Sequence, residues 1–285
     1  MIRFRFITIC IVAICSFTVL ADVKPISAQQ CEIMREKGVL TANAPIQCNR
    51  LANVTLQYYD FNGQIKIGSI VVMDAVAQRV EHIFSLLFKK KIPMQSVLPM
   101  ENFNGNDDAS MQANNTSAFN ARPITGGASW SKHAWGVAID FNPLQNPFVA
   151  IDNNNNVTVK PVQSVKNYLN RYSWRPNKPV NTGMAEEVID IFAQNGFLIW
   201  GGYWNYPIDF QHFEIGPQAL VKQLAARKDG AALFEQYVSS YLHCMKISKH
   251  IKHNKKRTLH DKKRAVCIEG VTNKYTPHAS GVTGN

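Results

Sequence analysis

Two short segments, far apart in the chain, constrain its fold most: Ser131-Lys132-His133-Ala134-Trp135-Gly136-Val137-Ala138-Ile139-Asp140 and Asp209-Phe210-Gln211-His212-Phe213-Glu214. The chain has eight histidines, and only His82, His133 and His212 precede residue 243. Two of those three lie in the segments. Two imidazoles and one carboxylate supply three nitrogen and oxygen ligands, the number a catalytic zinc keeps when its fourth position stays open to water. His133, Asp140 and His212 are therefore the candidate ligands of one Zn2+ ion. Asp209, three residues before the second histidine, stands where a general base is wanted. A fold that brings these residues together must close the two segments on each other.

Local geometry sets how that can happen. Side chains alternate faces along a strand, so His133 and Asp140, seven residues apart, cannot point the same way from one regular strand. Gly136 is the natural break, leaving His133 on an approach loop and Val137 to Phe141 as a short strand with Ala138 and Asp140 on one face. Pro207 and the aromatics Phe210 and Phe213 predict a loop running into a strand around His212. On that strand His212 and Glu214 share one face, Phe213 and Ile215 the other. Glu214 is then placed to hydrogen-bond a ligand imidazole and fix its orientation.

Each residue alone also has an ordinary reading. A histidine near aromatics is commonly a hydrogen-bonded core residue, Asp140 before Asn142-Pro143 can start a turn, and Asp209 with Arg122 can be a surface ion pair. Ser131 can be a plain loop hydroxyl. His82 falls on an amphipathic helix expected from Asp74 to Phe88, with Val76, Val80, Ile83, Phe84 and Leu87 as its buried stripe. Trp135, Trp200 and Trp204 are candidates for the cleft or the core. The combination of site residue types outweighs these separate readings.

Over about residues 56–216 the chain resembles the zinc D-alanyl-D-alanine carboxypeptidase family and its L-alanyl-D-glutamate endopeptidase relatives. Besides the two segments, the likeness includes Asn115-Thr116-Ser117-Ala118-Phe119-Asn120-Ala121-Arg122, Asp140-Phe141-Asn142-Pro143 with Asn146-Pro147-Phe148, and Trp200-Gly201-Gly202-Tyr203-Trp204. The resemblance implies His133, Asp140 and His212 as zinc ligands, Asp209 as base, Arg122 near the scissile carbonyl and Ser131 as a substrate contact. It implies an α+β fold in which a small antiparallel sheet carries the zinc site and helices flank it. Carboxypeptidase relatives usually have glutamate at the base position and the endopeptidases often aspartate. Asp209 tilts toward the latter and leaves both activities open.

The chain's start and end say where such chemistry would take place. Arg3 and Arg5 precede an apolar run from Ile7 to Leu20, with Val19-Leu20-Ala21 as a small-residue cleavage site, so 1–21 reads as a signal peptide. The run is short of the roughly 20 residues of a membrane span. Cys15 follows Ile14, where a lipid-attachment signal needs a small residue. Cleavage leaves Cys31, Cys48, Cys244 and Cys267 in an exported, periplasmic or secreted protein, and sequence order favours Cys31–Cys48 and Cys244–Cys267 among the pairings possible. The competing reading of the last two is a second metal site with His250 and His253.

The expected organisation is an N-terminal extension at 22–50, a zinc peptidase domain at 51–227, and a C-terminal helix and basic tail at 228–285. Asp152-Asn153-Asn154-Asn155-Asn156 reads as an exposed hairpin tip, and helices are expected at 217–227 and 231–244. Most of the formal charge of +11 sits between Lys246 and Lys274, where ten lysines and arginines face only Asp261 and Glu269. That stretch reads as a solvated tail able to approach anionic cell-wall polymer or a membrane surface. Export argues against nucleic acid. The expected function is a zinc metallopeptidase hydrolysing peptidoglycan stem peptides of its own or another cell's wall, as a D,D-carboxypeptidase or an L,D-endopeptidase. The reading from another class is a catalytically silent, zinc-bearing module that binds cell wall, against which a base beside the metal speaks.

Overall fold

The structure, a computed structural model, describes residues 22–124, 127–171, 181–247 and 256–276. The expected signal peptide lies outside these residues, as do His250 and His253. In chain order the elements begin with β1 (Asp22–Pro25), α1 (Ala28–Glu36), β2 (Leu51–Tyr59), β3 (Ile65–Met73), α2 (Ala77–Lys89), β4 (Ser96–Val97), α3 (Asp107–Gln112) and β5 (Asn115–Thr116). They continue with β6 (Ala138–Asp140), β7 (Phe148–Ile151), β8 (Val157–Lys160), α4 (Ile189–Gln194), β9 (Ile199–Trp200), β10 (Ile208–Asp209) and β11 (His212–Glu214). Three helices follow: α5 (Gln218–Ala226), α6 (Gly230–Ile247) and α7 (Lys256–Asn273). This is the expected α+β architecture, built from three small antiparallel sheets, β1-β2-β3, β10-β7-β8 and β6-β11-β9, and one parallel pair, β4-β5.

The first sheet is the platform. Residues on β2 alternate, so that Val54, Leu56 and Tyr58 are buried, and α2 packs on that sheet through Val80, Ile83, Phe84 and Leu87. Burying each of those large side chains stabilises the fold by roughly 1.5–3 kcal/mol. The helix expected from Asp74 is present, with its first turn wound as a tighter 3-10 turn at Asp74–Val76. His82 on α2 bonds through Nδ1 to the Asn195 side chain at 2.9 Å, an ordinary structural role. Residues 22–50 are woven into this platform: β1 pairs antiparallel with β2, Met34, Val39 and Leu40 are buried, and the Val39 carbonyl accepts from the Ala121 N–H.

A second apolar layer sits behind the third sheet. Phe213 of β11 stacks on Phe192 of α4 with centroids 4.0 Å apart, and Phe141 and Phe197 meet Phe192 edge-on. The expected face assignment holds, since Phe213 and Ile215 are both fully buried in this layer while His212 and Glu214 face away from it. The Asp152–Asn156 tip joins β7 to β8 as an exposed hairpin turn.

Both disulfides form, Cys31–Cys48 and Cys244–Cys267, closing sequence separations of 17 and 23 residues. In the entropy model each constrains the unfolded chain by about 3 kcal/mol. The bond between Cys244 and Cys267 removes the alternative of a second metal site, because neither sulfur is left as a thiolate ligand. The basic stretch also departs from expectation. Residues 256–273 form helix α7, which is not a solvated tail: Arg264, Cys267 and Val271 are buried, and the disulfide ties the helix to α6. Charge density there conceals a stripe that, among the described side chains, includes Arg264, Cys267 and Val271, with Ile268 packed partly against the core. Among the described residues no helix is long and apolar enough to cross a membrane.

Candidate metal centre

Asp140 ends β6 and His212 begins β11, and the antiparallel register sets these two residues directly opposite each other. His133 arrives from a 3-10 turn at Lys132–Trp135, started by Ser131, whose Oγ accepts from the His133 N–H at 3.2 Å. Gly136 ends the turn at φ +64 and its carbonyl accepts from the Met73 N–H, which pins the turn to the end of β3. A Cβ at Gly136 would lie 2.5 Å from the Met73 nitrogen. Gly136→Ala is therefore expected to cost about 2 kcal/mol or more, from the left-handed backbone and the collision together, read as a lowered thermal midpoint.

The three candidate ligands converge. His133 Nε2 lies 3.2 Å from His212 Nδ1 and 3.2 Å from Asp140 Oδ2, and His212 Nδ1 lies 3.2 Å from Asp140 Oδ1. Ligands held at about 2.0–2.1 Å around a tetrahedral ion stand roughly 3.3 Å from one another. The observed distances are close to that edge length, with the two imidazoles meeting different oxygens of the Asp140 carboxylate, and all three residues are buried. Their outer atoms are satisfied in the way ligation requires. His133 Nδ1 donates to the Ala118 carbonyl at 2.6 Å, and His212 Nε2 donates to Glu214 Oε2 at 3.1 Å, which leaves Nε2 of His133 and Nδ1 of His212 to offer lone pairs.

Charge around the cluster is arranged for a cation. Burial alone would raise the pKa of Asp140, but the two imidazoles hold it well below the usual carboxylate range. Burial would likewise lower that of His212, yet the hydrogen bonds it donates to Asp140 and Glu214 raise it to about 10 when no cation competes for Nδ1. Glu214 is opposed by burial and still lowered to about 2, by His212 and by the Lys132 ammonium 2.9 Å from its Oε1. Lys132 Nζ also donates to the Gly216 carbonyl. Glu214→Gln keeps the shape but removes this charge, and is expected to weaken metal binding roughly 10- to 100-fold, as measured by competition with a chromogenic chelator.

Asp209, Arg122 and Ser131 line the same cavity of about 440 Å³ as the three ligands. Burial, then the charge of Asp140, raises the Asp209 pKa to about 7, and its Oδ1 is buried with no hydrogen-bond partner. Arg122 is fixed by Asp107, 2.7 Å from its Nη2, and its Nε is also buried without a partner. Trp204 tilts over His212 with ring centroids 5.2 Å apart, whereas Trp200 is buried in the core and donates from Nε1 to the Phe210 carbonyl. Trp135 packs against the core, and Trp130, which the motifs did not single out, lines the cavity. Asp107, Lys132 and Lys160 were also missed. Lys132 could have been noticed beside His133, while nothing local marks Asp107 at the start of α3.

Residues 125–215 match the model of a family described as D-alanyl-D-alanine carboxypeptidase. The matched stretch holds the three converging ligands and Asp209, and it begins just after Arg122. No curated protein and no solved structure matches the chain. The match agrees with the resemblance read from the motifs: residues 125–215 are similar to the D-alanyl-D-alanine carboxypeptidase family.

Proposed function

We propose that this chain is an exported zinc peptidase that hydrolyses peptide bonds within peptidoglycan stem peptides. The observation that carries the reading is the triangle of buried nitrogen and oxygen donors beside a carboxylate whose buried oxygen has no partner of its own. Zinc bound by His133, Asp140 and His212 would supply Lewis acidity and lower the pKa of water toward about 7. Asp209 accepts the proton of the attacking water through its unpartnered oxygen and passes it to the leaving amine. Arg122, oriented by Asp107, donates to the oxygen of the scissile carbonyl as charge develops there. Ser131 holds the backbone of His133 and presents its edge to the substrate. Glu214 keeps the His212 ring in register and retains the Nε2 proton.

The residue at the base position bears on the choice of bond. Among the described residues the cations lining the cavity are paired, Arg122 with Asp107, Lys132 with Glu214 and Lys160 with Asp108. A terminal D-alanine carboxylate and the free carboxyl of a D-glutamate after an L-alanyl bond would both compete with those pairs, so the pairing favours neither bond. The aspartate at the base position supports endopeptidase action over removal of a terminal D-alanine. The disulfides support an oxidising compartment, since such bonds persist outside the reducing cytosol.

Arg122→Ala is expected to lower turnover by about 3 kcal/mol of transition-state stabilisation, roughly 100-fold, with metal content unchanged in elemental analysis. The proposal itself is tested by digesting purified peptidoglycan with the zinc-loaded protein and identifying the fragments by mass spectrometry. Released stem peptides with a new N-terminus support the endopeptidase. Loss of alanine alone would establish the carboxypeptidase, and intact material with zinc bound would establish a binding module instead.

A further inference from the structure

The C-terminal helix reaches the wall of the metal site at two places, although it lies beyond the matched family segment. On one side, Arg264 of α7 is 4% exposed, and it ties together Asp190 on α4, Asp261 on its own helix at 2.8 Å and the Tyr203 hydroxyl at 2.7 Å. Tyr203 belongs to the 3-10 turn Gly201–Tyr203, which joins β9 to Trp204. Its ring meets Trp200 edge-on with centroids 4.8 Å apart, and the next residue, Trp204, covers His212. The same turn is pressed against the proposed base: a Cβ at Gly201 would lie 2.5 Å from the Asp209 carbonyl oxygen and 3.0 Å from its Cβ. On the other side, a Cβ at Gly216 would lie 3.4 Å from Thr272 Cγ2 of α7, and the Gly216 carbonyl accepts from the Lys132 ammonium that also holds Glu214.

We infer that Arg264 is a positioning residue for the catalytic wall: by holding the Tyr203 hydroxyl it fixes the Gly201–Tyr203 turn, and through that turn the placement of Trp204 over His212 and of Asp209 beside the ligand cluster. The physical reason lies at the outer end of the turn. Tyr203 is 58% exposed, so its edge contact with Trp200 holds the ring weakly, and the guanidinium hydrogen bond ties its hydroxyl to a buried residue. An arginine suits this place because its planar fork can serve three partners at once, which a lysine ammonium cannot do in the same geometry. The helix that carries it is itself secured by Cys267, so the restraint runs from the α6–α7 disulfide to the mouth of the site. A misplacement of about 1 Å at such a wall can lower turnover 100-fold without removing any reacting group.

The functional half of this inference rests on the peptidase reading; the structural half does not. The test therefore pairs hydrogen exchange with kinetics on the full, zinc-loaded chain. Tyr203→Phe removes the hydroxyl and keeps the ring, and Arg264→Lys keeps a charge in the buried position. Both are expected to speed amide exchange within residues 200–210, where the Trp204 N–H bonds to the Gly201 carbonyl and the Phe210 N–H to the Pro147 carbonyl. Exchange in the β2–β3 hairpin should stay as in the parent, which separates local loosening from general destabilisation. On a soluble stem peptide each variant is expected to lose roughly tenfold in kcat with KM within about twofold, and the double variant no more than Arg264→Lys alone, since residues sharing one contact are not additive. Unchanged exchange in residues 200–210 in both variants, or losses of kcat that multiply in the double variant, would overturn the inference. Faster exchange in a protein whose parent form hydrolyses no stem peptide would uphold the restraint and overturn the peptidase reading.

Discussion

Asp140→Ala is expected to abolish metal uptake and, with it, hydrolysis. The carboxylate is the one anionic donor among the three converging ligands, so its loss leaves two neutral imidazoles, a set with much weaker hold on a hard or borderline dication. Turnover should fall by about 10⁴-fold or more, a large part of the 10⁶ or more by which enzymes usually accelerate their reactions. The strand should survive, because Asp140 joins its neighbours through backbone bonds: its N–H donates to the Ser117 carbonyl and its carbonyl accepts from the Ser117 N–H. Elemental analysis of the dialysed variant and its circular dichroism separate loss of metal from loss of fold. Binding in the parent protein should also depend on pH in a defined direction. Burial opposes the His212 proton, but Asp140 and Glu214 hold its pKa at about 10, so below that value a cation must displace the proton from Nδ1. Apparent affinity should rise by about tenfold per pH unit across the neutral range if one proton is released. Calorimetric titration in buffers of different ionisation enthalpy counts that proton, and a count of zero would remove His212 from the ligand set.

The centre was legible in the sequence because its parts are local. Gly136 announces the break that lets His133 and Asp140 face one point, and the alternation His212, Phe213, Glu214, Ile215 announces which side chains turn to the His133–Asp140–His212 cluster and which to the phenylalanine layer. Cysteine order also gave the right pairs. What the sequence hid depends on long-range closure. Asp107 acts on Arg122 because α3 is folded over the cavity, and no spacing rule links residues joined only by tertiary structure. Lys132 looked like one more charge on a basic protein until its ammonium was seen between Glu214 and Gly216. The C-terminal stretch misled for a similar reason. Its composition is that of a solvated segment, and although Arg264, Cys267 and Val271 fall at the helical spacing i, i+3 and i+7, an arginine and a cysteine among ten lysines and arginines do not read as an apolar stripe.

Asp209→Ala is expected to leave zinc in place and reduce turnover by roughly 10²- to 10⁴-fold, the range over which a positioned acid or base contributes. Asp209 is outside the converging donor set, and its carboxylate shares the cavity without being one of the three atoms that meet there. That separation is what allows metal content and chemistry to part company in this variant, whereas at Asp140 they fall together. The pH profile gives a second, independent sign. Burial and the nearby negative charge of Asp140 raise the Asp209 pKa to about 7 in the absence of a cation, and the positive charge of a bound ion pulls it back down. A base works only when ionised, so activity of the parent enzyme should decline as pH falls through that lowered value, with an acidic limb below about 7. In Asp209→Ala the residual activity should lose this limb, because the group that titrates is gone. Asp209→Glu should restore part of the rate, since the carboxylate is kept and moved by one methylene toward the cavity. A variant that lacks the carboxylate yet hydrolyses stem peptide at the parent rate with the parent pH profile would show that another group takes the proton.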